Sequence, residues 1–292
     1  MKPLLIVPPA PARWPALREL LQTMEAPSLA DIEKRLNDGV PGAQDAYAVM
    51  GVGGQYVASA GVNKHGDLGV LGHVFTRPDH RGRGYARQLT EAVLSWFDMT
   101  GGKWLLLATT AELDQGLYRK FGFEPIRHAA WAPHDRLTML RCAPGVTPDP
   151  LAATTGDIVI RDLSRADWPA MVALLQFRLG PDPRVPVGES AVTAPAFTLD
   201  LIAHVERGLC QLKGAFQGSH LVGLASVATD QEGHRTYAMI MPHTDAPPEL
   251  RTAVHEFAAS RGYTQVDFPM EALAPSAHEH SPAAAPQDKT PE

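Results

Sequence analysis

Cysteine is almost missing from the 292 residues, with Cys142 and Cys210 as the whole complement. Two thiols are too few for a disulfide framework and lack metal-ligand spacing, so both are expected to be reduced and buried and no metal is expected. Long apolar runs are missing as well: none approaches the roughly 18–20 residues that cross a bilayer. The opening MKPLLIVPPAPARW breaks at prolines before a signal-peptide core could form. These absences set aside a membrane-spanning or exported chain and predict a cytoplasmic one. There is also no long basic stripe with interleaved aromatics, which argues against a nucleic-acid partner.

What charge there is lies unevenly. Residues 1–142 hold 16 Lys/Arg against 14 Asp/Glu, about +2, and residues 143–292 hold 10 against 18, about −8, within a total of −6. Only the first half leans toward an anionic ligand. At 45% hydrophobic and 20% charged, the composition is globular, and the length suggests two domains. APGVTPDPLAATTG, residues 143–156, interrupts every periodic pattern with proline and glycine and reads as a linker. The expected domains are therefore 1–142 and 157–270, followed by an Ala/Pro-rich disordered tail at 271–292.

The halves repeat each other weakly. RWPALRELL from Arg13 matches DWPAMVALL from Asp167, and each Trp follows an isoleucine, Ile6 or Ile160, by eight residues. QYVASAGV from Gln55 resembles HLVGLASV from His220, and Phe97 and Gly102 are spaced like Phe257 and Gly262. Four such matches in one order suggest a duplicated fold.

Periodicity in the first half predicts a strand at Leu4–Val7, helices at Trp14–Met24 and Leu29–Asn37, and a strand meander at Ala46–Val52, Tyr56–Asn63 and Leu68–Thr76. A helix from Gly84 to about Met99, a buried strand in KWLLLAT, a helix at Glu112–Phe121 and strands at Ile126–Trp131 and Arg136–Cys142 complete it. The fold class is α+β, a three-layer arrangement with a mixed, mostly antiparallel sheet flanked by helices.

Within FTRPDHRGRGYARQL, a glycine-rich turn joins a strand to a helix. That order aims unpaired backbone N–H groups at one spot, and the helix dipole adds positive character. Gly82 and Gly84 allow close backbone approach and positive φ, while Arg81 and Arg83 bring charge. An anion belongs there. A third glycine and a following acidic residue, which a dinucleotide-binding turn requires, are missing.

Thr76-Arg77-Pro78 followed by Arg81, Gly84 and Ala86 resembles the first signature of the GCN5-related N-acetyltransferase superfamily, and LYRKFGFEP, Leu117–Pro125, resembles its second. The resemblance covers Leu68 to Pro125 and implies the acyl-CoA N-acyltransferase fold, duplicated in a tandem arrangement, with acetyl-CoA as acyl donor. It implies that Arg81, Gly82, Arg83, Gly84, Tyr85 and Ala86 hold the donor's pyrophosphate. Val74, Phe75 and Thr76 would serve its pantetheine arm and thioester carbonyl, and Tyr118 would protonate the departing thiolate. A phenol near pKa 10 can donate to a thiolate of comparable basicity.

The glutamate that many relatives carry on this strand corresponds to a place near Val70, which cannot take a proton. His73 is the nearest titratable side chain and the candidate base, with Asp67 and His65 behind it. Ala111 stands where the family often has asparagine.

In the second half the glycine turn is replaced by HTDAPPEL, whose prolines lack N–H groups and whose carboxylates would repel a pyrophosphate. This half is expected to be a degenerate copy that shapes the acceptor site without binding coenzyme A. A chain truncated near Cys142 should keep the donor, provided it folds without its partner's apolar interface. The expected activity is acetyl transfer to a primary amine of a small molecule or peptide, by a monomer or homodimer. The alternatives are a non-catalytic acyl-CoA sensor or scaffold, and an unrelated phosphate or nucleotide binder.

Overall fold

The computed structural model describes residues 2–110, 117–126, 136–151, 156–178, 194–229, 236–241, 247–262 and 266–267. The chain lays down β1 (Leu4–Ile6), β2 (Gln44–Val52), β3 (Gln55–His65) and β4 (Leu68–Thr76) as an antiparallel series. Next, β5 (Trp104–Thr110) joins β4 in parallel, and β7 (Arg136–Cys142) and the short β6 (Glu124–Pro125) extend the sheet antiparallel. The result is a mixed, mostly antiparallel seven-stranded sheet in the order β1-β2-β3-β4-β5-β7-β6.

Strand alternation sends neighbouring side chains to opposite faces. On β2, Ala46, Ala48 and Met50 pack toward α3 (Tyr85–Met99), whereas Tyr47 and Val49 pack toward α1 (Trp14–Leu21) and α2 (Ala26–Asp38). On β5, Leu105 and Leu107 join the α3 side, and Trp104 and Leu106 face the second half. A Cβ on Gly102 would stand 2.3 Å from Phe97, so glycine there lets the α3–β5 connection close over that ring.

Element bounds differ from the expectations mainly near the second signature. Of the helix expected at Glu112–Phe121, the described part is a 3-10 helix at Tyr118–Phe121, and residues 111–116 lie outside the described residues. Pairing with β7 begins earlier than expected, at Glu124 and Pro125 opposite Leu140 and Met139, and the Ile126 N–H donates to the Thr138 carbonyl at 2.9 Å. The remainder of that expected strand, and the expected tail, lie outside the described residues.

The second half contains β8 (Ile158–Asp162), α4 (Trp168–Arg178), α5 (Ala194–Glu206), β9 (Cys210–Gln217), β10 (His220–Thr229), β11 (Thr236–Met241), α6 (Pro248–Ser260) and β12 (Val266–Asp267). Its sheet runs β12-β11-β10-β9-β8, antiparallel except for β11 with β12. Helix α4 has no polar face: Met171, Val172, Ala173, Leu174 and Leu175 are all buried, as befits a helix enclosed on every side. It shares one cluster with Val70, Trp104, Leu106 and Leu140 of the first sheet and with Leu212, Phe216 and Leu224 of the second. Linker residue Leu151 is buried in that cluster.

Charged groups cross the same seam. Arg35 pairs with Asp31 at 2.8 Å and Asp45 at 3.1 Å, all three buried. Arg165 of the second half bonds Asp31 and pairs with Glu206 at 2.5 Å, and Glu206 also meets Lys34 at 3.4 Å. Among the described residues, no helix is long and apolar enough to cross a membrane, and no group of three or more His, Cys, Asp or Glu side chains could hold a metal.

Candidate active site

Strands β4 and β5 pair only where Leu68–Val70 meet Trp104–Leu106, although β4 continues to Thr76 and β5 to Thr110. The two strands splay, leaving an opening between their C-terminal ends. On its other edge β4 carries a bulge: Gly72 lies opposite Gly61 and Phe75 opposite Ser59, so His73 and Val74 share the place facing Ala60. His73 takes φ 56°, the one positive φ outside glycine among the described residues, and Ser59 Oγ donates to its carbonyl at 2.8 Å.

The imidazole of His73 stacks on Tyr47 with ring centres 6.1 Å apart. Both ring nitrogens are buried without a partner among the described residues. Burial lowers the pKa to about 4, the Asp31 charge opposing and the Arg35 charge reinforcing the shift. His73 is therefore neutral at pH 7, and its conjugate acid is too strong to hold an amine's proton there.

Beyond Thr76 a 3-10 turn at Pro78–His80 leads into the glycine segment. Gly82 and Gly84 have φ of 75° and 74°, as expected for the turn, and Gly84 is the left-handed N-cap of α3. A Cβ on Gly82 would meet nothing within 4 Å, so conformation rather than crowding calls for glycine. No side chain caps α3, which leaves its first-turn amides for a ligand. Arg81 Nε donates to the Thr76 carbonyl at 3.2 Å and Arg83 Nη2 to that of Asp79 at 3.3 Å, both in exposed settings.

Tyr118 opens its 3-10 helix and is buried edge-on to Phe123, with ring centres 6.0 Å apart. Burial pushes its pKa up to about 12. Tyr118, Val74 and Tyr85 share the apolar cluster on the α3 side of the sheet. Phe75 instead packs with α1 and α2 on the opposite face. Asp67 and His65 sit at the far, hairpin end of β4, where Asp67 pairs with Lys103 at 3.0 Å and His65 lies 3.5 Å from Asp167. Val70 is buried against the second half. Ala111 lies outside the described residues.

Two features carried no motif. Thr76 Oγ1 is buried without a partner at the end of β4, and Gln176 of α4 is buried with both amide atoms unpartnered, among the described residues. Polarity at the end of a strand and inside an apolar helix is the only trace of them in the sequence.

A family model described as an acetyltransferase (GNAT) domain matches residues 43–125. Among solved structures, Escherichia coli ElaA is similar at 20% identity, over 48% of this chain and 99% of that one, with a TM-score of 0.39. An acyl-CoA N-acyltransferase from Pseudomonas aeruginosa matches at 19% identity, over 48% and 100%, with a TM-score of 0.38. The ribosomal-protein-S18-alanine N-acetyltransferase of Escherichia coli matches at 17%, over 50% and 99%, with a TM-score of 0.39. No curated protein sequence matches the chain. The splayed strands, the glycine turn and the family model coincide along one stretch of chain, and residues 43–125 are a GNAT acetyltransferase domain.

Proposed function

We propose that the chain transfers an acetyl group from acetyl-CoA to a primary amine of a small molecule or peptide, by direct attack within a ternary complex. The reading rests on one observation: splayed strand edge, positive-φ glycines and uncapped helix follow one another in the order a pyrophosphate with a long thioester arm requires. The amides after Gly82 and Gly84 would take the pyrophosphate, with Arg81 and Arg83 adding charge and Tyr85 and Ala86 forming the first helical turn. Val74, Phe75 and Thr76 would present backbone to the arm, and the orphaned Thr76 hydroxyl offers a further bond. The donor supplies a thioester carbonyl open to amine attack.

In the transfer a nitrogen–carbon bond forms, the carbon–sulfur bond breaks, and sulfur keeps the electron pair. Tyr118 is assigned the hydrogen bond to that sulfur. With the phenol at about 12 and an ordinary thiol near 8.5, complete proton transfer is uphill by roughly 3 to 4 pK units. The phenol thus stabilises developing charge, and solvent supplies the lasting proton. His73, neutral and without a partner among the described residues, is assigned to accept a hydrogen bond from the amine, whose surplus proton leaves to solvent.

Residues 157–270 are read as a degenerate second copy. Pro247 is the N-cap of α6, Pro248 its first residue and Glu249 follows, so two backbone donors are missing at the helix start and a carboxylate stands beside it. This copy is assigned to the acceptor side. The absence of a group titrating near neutrality at Val70 or His73 favours a second reading, a non-catalytic acyl-CoA sensor or scaffold.

Calorimetry with coenzyme A, followed by CoA release across a panel of amines, tests both. One CoA per chain and release matched to amine consumption are expected. Binding without turnover favours the sensor, and no binding overturns both readings.

A further inference from the structure

A cavity of about 360 Å³ lies at the seam between the halves, at the hairpin end of β4. The nine residues of β4, at about 3.3 Å each, put roughly 25 Å between this cavity and the Thr76 end. The bulge that carries His73 and the glycine turn lie toward that far end, so the cavity is distinct from the pyrophosphate turn.

Its walls come from both halves. Leu68 and Trp104 lie where β4 and β5 are still paired, and Leu151, Phe216 and Leu221 face them from the linker and the second sheet. The Trp104 indole N–H is already given to the Thr147 carbonyl at 2.7 Å, so the ring offers only π surface. Phe216 has one face covered by Arg161, whose guanidinium carbon is 3.8 Å from the ring centre.

The charges around the cavity are matched. Arg161 is bonded to both oxygens of Asp167 at 2.6 and 2.9 Å, and Asp67 pairs with Lys103 at 3.0 Å. A charged ligand would meet no uncommitted counter-charge among the described lining residues. His220 differs. It stands edge-on to Trp104, ring centres 6.0 Å apart, and its Nε2 is buried without a partner among the described residues. A neutral imidazole nitrogen is a donor or an acceptor according to tautomer, and a hydroxyl satisfies either. Flat apolar walls, paired charges and one unfilled imidazole nitrogen thus define a ligand.

We propose that this seam cavity binds a neutral aromatic molecule of one or two rings bearing a hydroxyl group, which meets His220 and ties the two halves together. The volume lies within the range of small-molecule sites. The site is independent of the acetyl-transfer reading.

Titration calorimetry and saturation-transfer NMR on the full chain, with 2-naphthol, naphthalene and 2-naphthoate as probes, test it. The expected order is 2-naphthol tightest, one per chain, with naphthalene about tenfold weaker for want of one hydrogen bond and 2-naphthoate weaker than 2-naphthol. His220→Leu should bring 2-naphthol down to the level of naphthalene. Ser219→Trp, on the exposed β9–β10 turn at the cavity wall, should block all three while leaving coenzyme A affinity unchanged. The proposal is overturned by undiminished binding in Ser219→Trp, by 2-naphthoate binding more tightly than 2-naphthol, by loss of coenzyme A affinity in Ser219→Trp, or by no binding to the wild type.

Discussion

A phenol whose pKa burial pushes up to about 12 stays protonated through the neutral range, so Tyr118 remains a hydrogen-bond donor at every pH an assay would use. Tyr118→Phe keeps the ring against Phe123 and removes only that donor. Turnover should fall roughly 10²- to 10³-fold, as for loss of one charge-stabilising donor, with coenzyme A affinity little changed, as steady-state kinetics and calorimetry on the same sample would register. Near-wild-type turnover would place the donor elsewhere. His73 is held neutral by the same force with the opposite sign. Its ring titrates at about 4 against an ordinary 6.5. Between those values the unfolded chain takes up a proton that the native chain refuses. The stabilisation is full above about pH 6.5 and declines as pH falls toward 4, by up to about 3 kcal/mol. Asparagine tolerates positive φ and does not titrate, so His73→Asn should flatten this acid-side loss in denaturant titrations at pH 7 and pH 4.5. An equally steep loss in the variant would assign it to other groups.

Elements were legible where one local cause sufficed. The glycine turn is such a case, because strand, positive-φ residues and helix start are contiguous, and Leu68–Thr76 and Arg136–Cys142 keep their expected bounds. Gly84→Glu tests the turn. It puts an L-residue into the left-handed region at a cost of about 1–2 kcal/mol and sets a carboxylate where the anion should lie. Coenzyme A binding by calorimetry should be lost while circular dichroism stays native; unchanged affinity in a folded variant would remove the turn from the donor site. The β4 bulge was not legible, because it depends on how β4 registers against β3, and nothing local to His73 announces a left-handed histidine. Similar spacing also misled in part. Gly102 is required by the ring of Phe97, whereas Gly262, at φ 87° with open space around it, closes the turn after α6.

For the whole molecule, among the described residues both halves begin with one order of elements, a strand, two helices, three antiparallel strands, a helix and a parallel strand, and the first sheet continues with β6 and β7. Each first helix starts at a tryptophan after a 3-10 turn, and each indole reaches the following helix, Trp14 to Glu33 at 2.8 Å and Trp168 to Thr198 at 2.9 Å. The RWPALRELL and DWPAMVALL match thus has a physical counterpart. Composition could not reveal how far the halves depend on each other, since that lies in which face of α4 is buried, and all of them are. A linker read from prolines as a boundary proves to carry Leu151 into the common core. This changes the expectation for a chain ending at Cys142. Val70, Trp104, Leu106 and Leu140 would lose the helix that covers them, and Asp31 would keep Arg35 but lose Arg165. Uncovering four large side chains forfeits about 1.5–3 kcal/mol each, comparable in sum to the 5–15 kcal/mol that holds a typical domain together. The truncated chain should therefore aggregate or melt without a cooperative transition, while the full chain unfolds in one step in calorimetry. A soluble, cooperatively folding 1–142 that binds coenzyme A as tightly as the full chain would show instead that the seam is a docking surface between independent domains.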